Sequence, residues 1–228
     1  MRERRTAAAG LVMVTLAIPG AFLFEVLTRP EGTDGDNPAE SLVYLQEHGT
    51  AYALSGACFL VAAFGLIAAA TSFPDHVPFT AALGSVGGGL WVFTGALRLS
   101  SPGPIAHIEE MRASWGESAY LVVQMAGTQA GLLGGAMCFI VWMTLTSALA
   151  WRRRCLPRWL TGLGVAPIAV LVLAVLGPAG VELPEFAWLA YVAVLVVGLP
   201  LWLLGSAVAI LRPTRLLSSS GDRGQPVT

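Results

Sequence analysis

The residues best suited to chemistry lie on one face of a long apolar helix. Glu117, Tyr120, Gln124 and Thr128 are spaced by three, four and four residues, which places them side by side on an α-helix. At 1.5 Å per residue, Gln124 lies roughly 10 Å below the level of Glu117. Because polar groups in hydrocarbon need partners, this stripe is predicted to face other helices or a water-filled cavity.

Three residues of neighbouring helices are predicted to join this stripe at its outer end. Glu25 ends the first apolar run, Arg98 ends the third, and Thr94 lies one turn deeper than Arg98. Arg98 and Glu117 flank one loop, so they are predicted to reach the same level and form an ion pair. The candidate ligand-binding group, called the polar cluster below, consists of Glu25, Thr94, Arg98, Glu117, Tyr120, Gln124 and Thr128.

Two interpretations of the polar cluster stay open. It is either a structural clamp with interhelical hydrogen bonds, or an outward-facing cavity for a small ligand or ion. No catalytic residues are predicted, since the chain has no nucleophile elbow with an intramembrane histidine, no Cys-x-x-Cys pair and no zinc-protease motif. His107, Glu110 and His48 fall short of a zinc ligand set, so no metal and no cofactor are predicted.

The elements that must position this cluster are visible in the distribution of charge. The chain has 13 arginines and no lysine, and 55% of its residues are apolar while 12% are charged. Six uncharged stretches are each long enough to hold a membrane-spanning helix of about 20 residues. The predicted spans are about 6–27, 50–72, 78–98, 118–140, 159–178 and 186–211, and the tail 212–228 is predicted to be disordered.

Arginines indicate the orientation of these spans. With six spans, ten arginines fall on the side of both termini and of the 152–158 connection, whereas only Arg29, Arg98 and Arg112 fall on the other side. Excess arginine marks the cytoplasmic side. The fold class predicted is therefore an all-α membrane protein, a six-transmembrane-helix bundle forming one domain over 1–228, with both termini cytoplasmic.

Small residues predict how the third and fourth spans pack. Gly84 and Gly88 share one helix face, and Gly127, Gly131 and Gly135 share another. Glycines four residues apart let membrane helices approach closely, so these two faces are predicted to meet.

Two short amphipathic segments are predicted outside the spans. The segment 40–47 is predicted to be a surface helix with Leu42, Val43 and Leu45 touching the membrane. The segment 105–115 is predicted to be an interfacial helix that caps the polar cluster.

The connection from Arg152 to Gly164 reads RRRCLPRWLTGLG. This run, together with the six-span layout, resembles a broad group of uncharacterised bacterial multi-pass membrane proteins classed as a domain of unknown function. The resemblance implies a bacterial plasma (inner) membrane location and no activity.

The function expected from these observations is non-enzymatic. The protein is expected to be a small-molecule binder or transporter, or an accessory subunit of a membrane assembly; the alternative is a membrane-embedded enzyme with an outward-facing polar site. Its expected partners are the lipid bilayer and either another membrane protein or further copies of this chain. The net charge of −1 argues against nucleic acid as a partner.

Overall fold

Helices make up almost all of the chain that the computed structural model describes, namely residues 1–28, 38–74, 77–111, 113–176 and 197–212. A π-helical segment, Met125–Leu133, joins the fifth and sixth α-helices into one continuous rod. The α-helices are α1 (Arg2–Thr28), α2 (Pro38–Ser72), α3 (Pro78–Ser100), α4 (Pro102–Met111), α5 (Ala113–Gln124), α6 (Gly134–Arg153), α7 (Arg158–Leu176) and α8 (Leu199–Leu211).

Four stretches in the described residues are long and apolar enough to cross a membrane: Arg2–Phe24, Leu45–Ser72, Pro78–Ser100 and Ala130–Arg153. The all-helical class is thereby confirmed for the described residues, and four of the predicted six spans have a counterpart that could cross a membrane. α7 coincides with the predicted fifth span. The predicted sixth span is described only from residue 197, and the predicted disorder of the tail lies outside the described residues beyond 212.

The described helices form a closed ring. α1 packs on α2, α2 on α3, α3 on α6, α6 on α7, α7 on α8, and α8 on α1 again. Neighbours in the first half of the ring run antiparallel: Gly20 lies beside Cys58 and Gly10 beside Gly65, while Gly95 lies beside Gly56. Among the described residues, each of these six helices contacts two others of the ring.

The candidate span in this part of the chain is Ala130–Arg153, whereas the sequence pattern predicted a fourth span at 118–140. α3 sets its level, because Gly87 faces Gly135 and the backbone of Gly84 faces Trp142. The residues level with α3 therefore include the π-helical segment, where Gly131 lies beside Thr94, and the first half of α6. α5 is the part of the rod that extends past the outer end of α3.

Glycines bring the helix backbones together at three interfaces. A Cβ atom on Gly65 would lie 2.7 Å from the carbonyl oxygen of Gly10, and one on Gly56 would lie 2.8 Å from that of Gly95. The corresponding distance from Gly87 to the carbonyl of Gly135 is 3.2 Å. These approaches leave no room for a side chain, which is how membrane helices gain van der Waals contact without a hydrophobic driving force.

The glycine faces of α3 are divided between two partners, which corrects the prediction from the sequence. Gly88 faces Ala63 and Ile67 of α2 rather than the fourth span. Gly84 sits against both Ala70 of α2 and Trp142 of α6. The contact of Gly131 with Thr94 confirms that the fourth span packs on α3, but α3 uses Gly87 for that interface.

Aromatic side chains fill the inside of the ring. Trp91, Phe139 and Trp142 follow one another with ring centroids 5.5 and 5.9 Å apart. Trp202 of α8 meets Trp142 edge-on at 5.9 Å, and its indole N–H donates to Ser147 Oγ at 3.0 Å. Trp142 and Trp202 are fully buried. This aromatic column is a dry core in which the polar indole edge of Trp202 has a partner.

Both predicted amphipathic segments are helical where they are described, and each contributes at least one buried apolar side chain to the protein. α2 kinks at His48, whose φ of −123° and ψ of 25° separate the short helix 38–47 from the span. Leu42 and Leu45 are buried, and only Val43 of the predicted membrane-facing trio is exposed. Ile105 of α4 is buried with them. These segments cover the end of the bundle instead of floating on the bilayer.

Adjacent glycines of α3 provide a direct test of this packing. We expect Gly88→Leu to lower the Tm in detergent by several degrees, because its side chain would meet Ile67 and the Ala63 carbonyl within about 3 Å. Gly89→Leu is the matched control, since a Cβ there meets nothing within 4 Å. Equal Tm values for the two variants would contradict the placement of α3 against α2.

Candidate functional site

Arg98 is the centre of the polar cluster in the structure. It lies in the last turn of α3 and is only 3% exposed. Its Nη1 donates a hydrogen bond to Ser55 Oγ at 3.0 Å. Its guanidinium carbon lies 5.1 Å from the ring centroid of Tyr52 and 5.2 Å from that of Phe59. Two aromatic faces and one hydroxyl of α2 therefore contribute to holding the charge.

The three partners on α2 were not part of the predicted cluster. Tyr52, Ser55 and Phe59 are spaced by three and four residues, the same periodicity that defined the polar stripe. Within an alanine-rich span, this spacing is the sequence signal from which the three partners of Arg98 could have been predicted. The two hydroxyl-bearing residues among these three, Tyr52 and Ser55, are buried, which fits a helix face that meets protein rather than lipid.

Thr94 joins α3 to the π-helical segment. Its hydroxyl donates to the carbonyl oxygen of Gly127 at 2.9 Å and lies 3.2 Å from the carbonyl oxygen of Leu90. One turn earlier in α3, Trp91 Nε1 donates to the carbonyl oxygen of Leu132 at 3.3 Å, which adds a second contact with the π-helical segment. Gly131 permits this approach, because a Cβ there would collide with Thr94 Oγ1.

The predicted stripe of α5 does not keep a single environment. Glu117 is exposed, Tyr120 is buried and Gln124 is half-buried. The α-helical spacing holds only up to Gln124, because the π-helical segment that follows changes the number of residues per turn. The side chains of Glu25 and Thr128 lie outside the described part of the structure.

A cap of apolar side chains covers this end of the bundle. Tyr120 and Tyr52 pack with Leu42, Leu45 and Ile105, which come from the short helix 38–47 and α4. The structure thus places Arg98 of the predicted cluster against Tyr52, which packs with Tyr120 in the cap, and it leaves Glu117 exposed. The predicted ion pair between Arg98 and Glu117 stays a prediction.

Metal ligands do not gather in this region. Within the described ranges, no three His, Cys, Asp or Glu side chains lie close enough together to hold an ion. Of the candidates discussed from the sequence, His48 lies at the kink of α2 and His107 lies on α4. The side chain of Glu110 is outside the described set.

The fold is all-helical in the described residues, with four helices long and apolar enough to span a membrane, and buried polar contacts join these helices. Comparison of the chain with family models, with curated proteins and with solved structures finds no match. The interpretation of the site therefore rests on its geometry.

A double-mutant cycle tests the contact at the centre of the site. Arg98→Leu and Ser55→Ala should each lower the free energy of unfolding. The double variant should lose about 1–2 kcal/mol less than the sum of the two single losses, because the hydrogen bond to the charged group can be lost only once. Chemical unfolding in detergent measures all four proteins. Strict additivity would show that these side chains do not interact.

The same cycle with Glu117→Leu decides the predicted ion pair. A smaller loss of stability from Glu117→Leu in the Arg98→Leu background than in the unchanged protein would support a clamp, since the carboxylate would then have no Arg98 charge to stabilise. Additive effects would remove Glu117 from the polar cluster.

Proposed function

We propose that this protein is a non-enzymatic accessory subunit of a membrane assembly. The observation that supports the proposal is the filled interior of the ring, where Trp91, Phe139, Trp142 and Trp202 occupy the space that a central pathway would need. Solute transport through the ring would require these side chains to give way to a polar path. The surface available for interaction is therefore the outside of the ring.

The chemistry of the polar cluster supports the same proposal. The Thr94 hydroxyl is bonded to the neighbouring π-helical segment, and the Arg98 guanidinium is bonded to Ser55 and stacked on two rings. Such contacts fix the angle between spans. A rigid bundle with a large outward apolar surface is what a subunit that packs against other membrane helices requires. The large, strongly exposed apolar side chains include Leu16, Phe64, Phe79 and Val122.

The proposal includes six spans in a bacterial plasma membrane, with both termini cytoplasmic. α7 and α8 follow the four long spans, and each packs beside its neighbour in the ring. The arginine-rich connection from Arg152 to Arg158 lies at the end of the Ala130–Arg153 span. An excess of arginine at that position supports a cytoplasmic location for it.

A small-molecule binder or transporter is the second candidate. The observation that favours it is the π-helical segment beside Thr94, since π-helical turns often occur at functional sites. A membrane-embedded enzyme with an outward-facing polar site remains the alternative of a different class. It would require two titratable groups within hydrogen-bond reach in a cleft.

The subunit role predicts a particle larger than this chain in its own membranes. A tagged protein produced at its native copy number should elute, after mild detergent extraction, with a second membrane protein in a fixed ratio, as measured by mass photometry and quantitative mass spectrometry. The purified chain alone, 23.8 kDa per copy, is the reference. Recovery as this chain only, carrying a bound small molecule, would favour the binder instead.

Cysteine labelling tests the topology. On a background in which Cys58, Cys138 and Cys155 are replaced, Gly103→Cys should react with an impermeant maleimide from outside the cell. Glu3→Cys and Ser218→Cys should react only after the membrane is permeabilised. External labelling of Ser218→Cys would contradict both the orientation and the even number of spans.

A further inference from the structure

An open groove of about 560 Å³ lies where α6 ends and α7 begins. The candidate span Ala130–Arg153 and α6 both end at Arg153, so the groove lies at the level where this span would leave the membrane. It combines three guanidinium groups with aromatic and apolar walls. Its lining residues are Trp151, Arg152, Arg154, Leu156, Pro157, Arg158 and Thr161.

The local backbone explains why the arginines converge there. Arg154 has a φ of 55° and a ψ of 30°, a left-handed conformation that is unfavourable for any residue other than glycine or asparagine. The turn is closed by a hydrogen bond of 3.2 Å from the Cys155 N–H to the carbonyl oxygen of Ala150. The chain reverses within four residues, and α7 then begins at Arg158, directly after Pro157.

The two sides of the groove differ in chemistry. Arg158 lies over the Trp151 ring, with 6.0 Å between its guanidinium carbon and the ring centroid, so one arginine is positioned by an aromatic face. Leu156 is buried and forms an apolar floor. Positively charged and apolar side chains thus lie next to each other at the same level of the groove.

From this geometry we propose that the groove binds the phosphate headgroup of an anionic phospholipid. Guanidinium groups match phosphate oxygens with pairs of parallel hydrogen bonds. The indole and Leu156 suit the glycerol and first acyl carbons, which a soluble phosphate does not carry. The cytoplasmic leaflet supplies such lipids, and arginines at its surface attract them. This lipid site goes beyond the proposed subunit role, and the bound lipid would hold the turn between α6 and α7 at the membrane surface.

The alternative to a built site is the diffuse attraction that any cluster of arginines exerts on an anionic surface. Arg2, Arg4 and Arg5 provide a matched control within the same chain. They are equal in number to the groove arginines and are exposed, but they do not line this groove. A diffuse effect depends on charge alone, whereas a built site depends on which three arginines are present.

The experiment measures lipid binding to the purified full chain by native mass spectrometry and by the Tm in mixed micelles. Phosphatidylglycerol should leave one retained lipid and raise the Tm, whereas phosphatidylcholine with the same acyl chains should not. The triple variant Arg152→Gln/Arg154→Gln/Arg158→Gln should lose about tenfold or more in apparent affinity. The control Arg2→Gln/Arg4→Gln/Arg5→Gln should keep it.

Three outcomes would overturn the proposal. Equal losses in the two triple variants would show diffuse attraction, and equal effects of the two lipids would remove the headgroup phosphate as the determinant. Stabilisation by inorganic phosphate alone, in phosphatidylcholine micelles, would assign the groove to a soluble anion. If the groove triple variant does not fold, Arg154→Gln and Arg158→Gln are compared singly with Arg4→Gln, and equal affinities would again overturn the lipid site.

Discussion

Close approach of helix backbones is the constraint on which the rest of this structure depends. Between membrane spans, burial of apolar surface brings no gain over contact with lipid, so association relies on van der Waals contact and polar bonds. Gly10 against Gly65, Gly56 against Gly95, and Gly87 against Gly135 provide that contact at three successive interfaces. Any side chain at these positions would separate two spans and open the ring.

Once the backbones are this close, the polar groups of one helix reach the carbonyls and hydroxyls of the next. Thr94 donates to Gly127, and Trp202 donates to Ser147. Arg98 depends on the same geometry, because Gly56 and Gly95 bring α2 near enough for Ser55, Tyr52 and Phe59 to surround its charge. The buried cation is thus a consequence of the glycine contacts and in turn fixes the register of α2 against α3.

The two ends of the bundle differ in what they offer to other molecules. Beneath the cap formed by the helix 38–47 and α4, the polar groups are engaged within the protein. At the opposite end, Arg152, Arg154 and Arg158 line an open groove. This asymmetry supports a bundle whose interior polar groups serve packing within the protein. Such a bundle interacts with other molecules through its outer apolar surface and its arginine-rich turn.

The sequence by itself determined the class of the protein, because long uncharged stretches can be stable only as helices in hydrocarbon. It also singled out Thr94 and Arg98, since a charge or hydroxyl within a span needs a partner. The tertiary structure decided which partner: Arg98 lies against Tyr52, Ser55 and Phe59 of α2. Helical spacing alone assigns residues to a face but does not say which neighbour that face meets, so Gly88 was placed against the wrong span. The π-helical segment also could not be predicted from the sequence, because its i→i+5 bonding depends on contacts with α3 that form only in the folded bundle.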